Sequence, residues 1–135
     1  MNRTLNILFA ASVLLVLNFG GVEAISTAQD AIFRAGEASW YSELDSGILL
    51  TTANMEIFSD KKLTCAIWGV PFNTLIKVTN VENGKSITVR VNDRGPAKRL
   101  VRDGRVIDLT KSAFSRLADT AKGLVRVELE ILPGH

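Results

Sequence analysis

The sequence predicts a mainly β protein, a small barrel with one short helix, behind an N-terminal export signal. Three observations carry the prediction. Thr74 to Asn80 (TLIKVTN) and Ser86 to Asn92 (SITVRVN) alternate apolar and polar residues around an Asn83-Gly84 pair; Leu124 to Leu132 (LVRVELEIL) alternates the same way; and helical spacing stands out only after Thr110. Period-two alternation puts successive side chains on opposite faces of a strand. Many short strands with a single helix suit a closed barrel, which leaves no sheet edge unpaired.

The chain begins MNRTLNILFAASVLLVLNFGGVEA, with Arg3 ahead of an apolar run from Leu5 to Phe19 and a small-x-small ending at Val22-Glu23-Ala24. This pattern predicts a signal peptide over residues 1–24 that is cut after Ala24. Asn18 and Gly20-Gly21 shorten the apolar span below the ~20 residues that a bilayer crossing needs, so no membrane anchor is expected after cleavage. A lipoprotein would carry a Cys just after the run, yet the single Cys is Cys65. The expectation is a periplasmic or secreted protein that is not a lipoprotein.

Residues 25–35 (ISTAQDAIFRA) show no clear alternation and read as a linker, which places the domain at 36–132. Glu37 to Ser42 reads as the first strand, and Glu43 to Thr52 as a long loop with an Asp-Ser-Gly turn signal and an apolar Ile48-Leu49-Leu50. In the central hairpin Asn83-Gly84 predicts a two-residue turn. Ile76, Val78, Ile87, Val89 and Val91 would form its core face, with Lys77, Thr79, Thr88 and Arg90 opposite. Thr110 can cap a helix of about two or three turns carrying Ala113, Phe114, Leu117 and Ala118 on one side. The last strand turns Val125, Val127, Leu129 and Ile131 inward.

Loss of residues 1–24 removes Arg3 and Glu23 and leaves the net charge at +2. So mild a charge argues against nucleic acid as a partner. One Cys forms no internal disulfide and reads as a small buried hydrophobe. With His135 the only histidine, no metal site and no cofactor are expected.

The segments GEASWYS, TTANMEIF, LTCA, KVTNVENGKSITVRVNDRGP and RVIDLTKSAF are similar, in order, to the rare lipoprotein A family of bacterial envelope proteins. The similarity spans roughly residues 36 to 132. It implies a six-stranded double-psi β-barrel and an endolytic lytic transglycosylase acting on peptidoglycan glycan strands, with cell-division or cell-wall proteins as candidate partners. Fold alone does not license that chemistry.

Asp93 ends the second hairpin strand where Gly95-Pro96 turns the chain. From the pattern alone it reads more simply as a turn-capping Asp; the resemblance reverses this and implies the acid/base carboxylate. A lytic transglycosylase must protonate the glycosidic oxygen and then take the proton of the muramyl 6-hydroxyl, and one carboxyl can do both. An inverting hydrolase needs a second carboxylate ~6.5 to 9.5 Å away, for which Glu56 is the candidate, a solvated loop residue being the alternative. In TTANMEIF, Thr52, Ala53 and Glu56 match the family's T-A-x-G-E, but Met55 stands where the family has Gly, which would admit a positive φ that Met adopts only at a cost. Ile67 stands where the family commonly has a groove histidine.

Substrate contacts are expected from Thr52, Tyr41, Trp68, Arg94 and Asp108. Tyr41 and Trp68 could stack on sugar rings, or be core like most large aromatics. Asp108 reads more readily as a structural hydrogen-bond acceptor before the helix. Lys98, Arg99, Arg102 and Arg105 crowd one loop and suit substrate carboxylates or plain solvation. Three functions stay open: a lytic transglycosylase using Asp93 and Glu56, a non-catalytic or expansin-like wall-binding module, and an inverting hydrolase.

Overall fold

A computed structural model describes residues 32–134. The expected signal peptide, the linker up to residue 31 and His135 lie outside the described residues. The elements run β1 (Ile32–Tyr41), β2 (Thr64–Ala66), β3 (Leu75–Asn80), β4 (Ser86–Asp93), α1 (Lys98–Arg102), β5 (Arg105–Thr110), α2 (Lys111–Ser115), a 3-10 turn (Thr120–Lys122) and β6 (Val125–Ile131). The six strands close into a barrel in the order β1-β5-β2-β4-β3-β6. Among the described residues, no helix is long and apolar enough to cross a membrane.

The alternating segments form the barrel wall as their pattern requires. Ile76, Val78, Ile87, Val89 and Val91 are buried together with Ile107, Leu109, Val125, Val127 and Leu129, and Ile131 packs against them half-buried. Each such side chain contributes about 1.5 to 3 kcal/mol when fully buried. Cys65 is a free thiol inside this cluster.

Four expectations need correction. The first strand starts at Ile32, so Ile32–Ala35 of the expected linker pair with Ile131–Glu128 of β6. Ile32 and Phe33 are exposed; backbone bonds hold this end of the ladder, and exposed ends leave no alternation to read.

The loop after Pro96 contains a helix, α1, with no buried residue, hence with no apolar stripe in the sequence. The expected helix after Thr110 has only five residues, although its cap is as anticipated, with the Thr110 hydroxyl accepting from Ala113 N. Phe114 and Leu117 are buried, Leu117 beyond the helix proper.

The hairpin turn is longer than two residues. Asn80 N donates to Lys85 O and Gly84 N to Asn80 O, both at 2.8 Å, so Val81–Gly84 make the turn. Gly84 has φ 74°, whereas Asn83 is not among the residues with positive φ. The Asn83 side chain donates to Leu117 O at 2.8 Å and accepts from Lys85 N at 2.9 Å. Asn80 donates to the same carbonyl at 3.0 Å. Both asparagines thus tie the hairpin to the chain leaving α2, a long-range demand that overrides the local turn preference.

A β-branched side chain at Gly84 would be forced into the left-handed region. Gly84→Val is expected to lower stability by about 1 to 3 kcal/mol, read from denaturant unfolding; an unchanged midpoint would contradict the turn geometry.

Candidate active site

The site is assembled around β2. Its Ala66 pairs with Asp93 of β4 on one side and Asp108 of β5 on the other, and Asp108 pairs in turn with Ser39 of β1. A register shift between Cys65 and Ala66 brings Asp93 opposite Ala66. Bulges of this kind re-aim side chains beside functional sites. The row Ser39, Asp108, Ala66, Asp93 therefore crosses four strands, with the smallest side chain between the two carboxylates.

Asp93 ends β4 on the wall of an open cavity of about 450 Å³ that also has Tyr41, Thr52, Ala53, Met55, Phe58 and Arg94 on its wall. Its Oδ1 accepts from Ala53 N at 3.0 Å and Arg94 N at 2.8 Å. Oδ2 has no hydrogen bond among the described residues. Arg94 lays its guanidinium over the Phe72 ring, 3.8 Å from the centroid, and donates to Ile67 O at 3.1 Å. Stacking and this bond fix the guanidinium of a residue that shares the cavity wall with Asp93.

Asp108 lies below this surface. Its Oδ1 accepts a hydrogen bond from the Ser39 hydroxyl. Burial pushes its carboxyl above the ordinary range, and nearby Asp93 adds to this, while Ser39 and Arg105 pull it partly back. A Cβ at Gly95 would come within 3.3 Å of Asp108 Oδ2 and 3.2 Å of Ala66 Cβ. The glycine of the Asp93-Arg94-Gly95-Pro96 corner lets the turn settle directly onto Asp108.

Glu56 is engaged on all sides. Arg90 donates to it in a fork, Nη1 to Oε1 at 2.6 Å and Nη2 to Oε2 at 2.9 Å, while Asn54 donates to Oε1 at 2.8 Å and Asn92 to Oε2 at 3.2 Å. The Arg90 bond first, then those of Asn54 and Asn92, hold its carboxyl down at about 2. A group so placed stays ionised and makes a poor proton carrier. What it does hold is the turn Thr52–Glu56 against β4, and that turn supplies Ala53 N to Asp93.

Met55 keeps the left-handed geometry that its size was expected to resist, with φ 70° and 79% exposure. The turn is over-determined by Thr52 N to Glu56 O and Met55 N to Thr52 O, both at 2.9 Å, and by the Glu56 anchor. Thr52 itself is buried and donates its hydroxyl to Asn54 Oδ1 at 2.6 Å.

The aromatics divide. The Tyr41 ring is stacked on Phe58, centroids 4.8 Å apart, so that face is not open to a sugar. Trp40 donates to Thr120 O at 3.0 Å and packs against the core. Trp68 is 40% exposed, with its ring fixed by Nε1 donating to Pro96 O at 2.7 Å and Lys98 Nζ 5.6 Å from its centre. Ile67, in place of the expected histidine, is buried. Lys98, Arg99 and Arg102 lie on α1 and are not on the cavity wall, while Arg105 opens β5. Among the described residues no cluster of three or more His, Cys, Asp or Glu could hold a metal.

Sequence reading missed Arg90, Asn92, Phe58 and Phe72 as parts of the site. The available signal was that Arg90 and Asn92 share the polar face of β4 beside Asp93.

Glu56 stabilises the fold above its ordinary carboxyl range, near pH 4.5, and this contribution is lost as pH falls toward about 2. Glu56→Gln should therefore cost about 1 to 2 kcal/mol at neutral pH, with the deficit against wild type shrinking through that window in acid unfolding curves. Met55→Gly should stabilise by about 0.5 to 1 kcal/mol by relieving the positive φ, net of the glycine's own flexibility; a lower thermal midpoint would count against the strain.

A family model described as lytic transglycolase matches residues 34–129. The endolytic peptidoglycan transglycosylase RlpA of Vibrio cholerae is 41% identical over 98 residues, covering 73% of this chain and 35% of that protein. The protein of the same name from Campylobacter jejuni is 42% identical over 97 residues, covering 72% and 33%. The chain thus spans about a third of the length of these curated relatives. Among solved structures, a Streptomyces papain inhibitor superposes with TM-score 0.59 at 21% identity, covering 76% of this chain and 96% of that one. An expansin of Clavibacter michiganensis superposes with TM-score 0.58 at 20% identity, covering 77% and 52%; a mutant of that expansin has been solved in complex with cellohexaose. These two structures share the barrel with this chain. The chain belongs to the lytic transglycolase family, its double-psi β-barrel carrying the family match from β1 to β6.

Proposed function

We propose that the chain is the barrel of an exported peptidoglycan lytic transglycosylase, cutting between MurNAc and GlcNAc and leaving 1,6-anhydromuramyl ends. The observation that carries this is Asp93, a strand-end carboxylate beside an open cavity with one oxygen held by two backbone N–H groups and the other unpaired among the described residues. The names of its relatives, enzymes of peptidoglycan, support the substrate and an envelope location.

The reaction follows from one carboxyl used twice. Asp93 gives its proton to the glycosidic oxygen as the C1–O bond breaks and its electron pair passes to that oxygen. The muramyl 6-hydroxyl oxygen then bonds C1, and its proton returns to Asp93. No water is consumed. Inverting hydrolysis would need a second, free carboxylate to activate water, and Glu56 is committed to Arg90, Asn54 and Asn92. We assign Glu56 and Thr52 to holding the Thr52–Glu56 turn, Arg94 to substrate contact, Trp68, half-exposed and bonded to Pro96 O, to a sugar platform, and Asp108 to support beneath the corner. Cell-wall or division proteins remain partners by resemblance alone.

A second reading, a barrel that binds wall polysaccharide without cutting it, is favoured by Ile67, which is buried and offers no groove base.

Asp93→Asn keeps an oxygen for the two N–H donors but cannot supply the proton. It is expected to leave the unfolding midpoint within about 1 kcal/mol and to abolish anhydromuramyl products from sacculi, read by mass analysis. Reducing-end products from the wild type would move the assignment to hydrolysis. Binding without any product would promote the second reading.

A further inference from the structure

Tyr41 is the only tyrosine in the chain, and its hydroxyl has an unusual position. The oxygen is closed to solvent and has no hydrogen-bond partner among the described residues. Native structures retain few such buried orphans, because each forfeits its hydrogen bonds to water without replacement. The ring cannot turn its hydroxyl outward without breaking the stack on Phe58, where the two planes lie 12° apart.

Tyr41 and Asp93 share the cavity wall, with Arg94 between strand and corner. The titratable groups facing the hydroxyl are Asp93 from β4, Cys65 from β2 and Asp108 from β5; burial first, then these acids, keep it protonated. It is therefore a donor and not a base. Asp108 already accepts from Ser39 on Oδ1 and is covered by Gly95 at Oδ2. Cys65 is a buried thiol whose own ionisation burial opposes. Among these groups Asp93 alone combines a place on the same wall with an oxygen, Oδ2, that has no hydrogen bond among the described residues.

We infer that Tyr41 is a positioning residue for Asp93: its hydroxyl, without a partner among the described residues, donates to Oδ2 as negative charge gathers on the carboxyl in the transition state of the proposed reaction. The inference rests on Asp93 as the acid of the proposed reaction. A hydrogen bond absent in the resting site and made as the carboxylate becomes an anion stabilises the transition state without tightening substrate binding. It also explains why a costly orphan is kept beside the acid.

Tyr41→Phe removes one oxygen and keeps the stacked ring. On glycan strands kcat should fall about ten- to a hundredfold with KM within about twofold, as expected for a bond made only in the transition state. The unfolding midpoint should stay the same or rise, since an unpaired buried hydroxyl has been removed. An unchanged kcat, or a loss of kcat accompanied by a lower midpoint, would overturn the inference.

A second measurement does not need turnover. In protein labelled with 13C at tyrosine Cζ, the single resonance should move as Asp93 ionises with rising pH in the wild type and in Asp108→Asn, and should stay still through that range in Asp93→Asn. A still resonance in the wild type overturns the inference whether or not glycan is cut. A responsive resonance in a protein that yields no product upholds the Tyr41–Asp93 pair and counts against the lytic reading alone.

Discussion

Everything at the site depends on the three-residue strand Thr64–Ala66. It is buried along its whole length, and the barrel closes because it pairs parallel with β4 and antiparallel with β5. No other strand lies between Asp93 and Asp108. If β2 slipped by one residue, Ala66 would leave the row between the carboxylates and a larger side chain would take its place. The short strand is thus both the keystone of closure and the spacer of the acidic pair. Its own stability comes from neighbours on both sides, since three residues alone form no stable strand.

On the outer face of β4 a second constraint acts on the loop 51–57. Arg90 and Asn92 stand two residues apart on one side of the strand, and both grip Glu56. That grip holds Met55 in a conformation that would otherwise relax, and it brings Ala53 N to Asp93. Strain at Met55, a close glycine at position 95 and an orphan hydroxyl at Tyr41 all cluster within one cavity and its corner. Each costs stability, and each is kept where the surrounding contacts over-determine the geometry, a pattern common at functional sites.

The two carboxylates of the central row have opposite surroundings. Asp93 opens to the cavity with an unpaired oxygen, whereas Asp108 is sunk beneath the corner and bonded to Ser39. Glu56, the other acid near the site, is fully committed to cationic and amide donors. Environment separates three similar side chains into a half-buried candidate acid on the cavity wall, a support sunk beneath the corner and a loop anchor.

Period two in β3, β4 and β6 made the barrel wall readable from sequence, because a strand that is wet on one face writes its burial into every second residue. The strand end at Asp93 and the cap at Thr110 were readable for the same reason: the relevant contacts lie within a few residues. Short β2, helix α1 and the first residues of β1 carried no such pattern, being too short or too exposed to show one. The grip of Arg90 on Glu56 spans 34 residues of chain, and the stack of Tyr41 on Phe58 joins β1 to the far end of a long loop. The sequence by itself determined which residues face the barrel interior and where the candidate acid ends its strand; only the tertiary structure decided that Glu56 is bound and Tyr41 idle beside Asp93, because hydrogen bonding and solvent exclusion between distant segments leave no periodic trace along the chain.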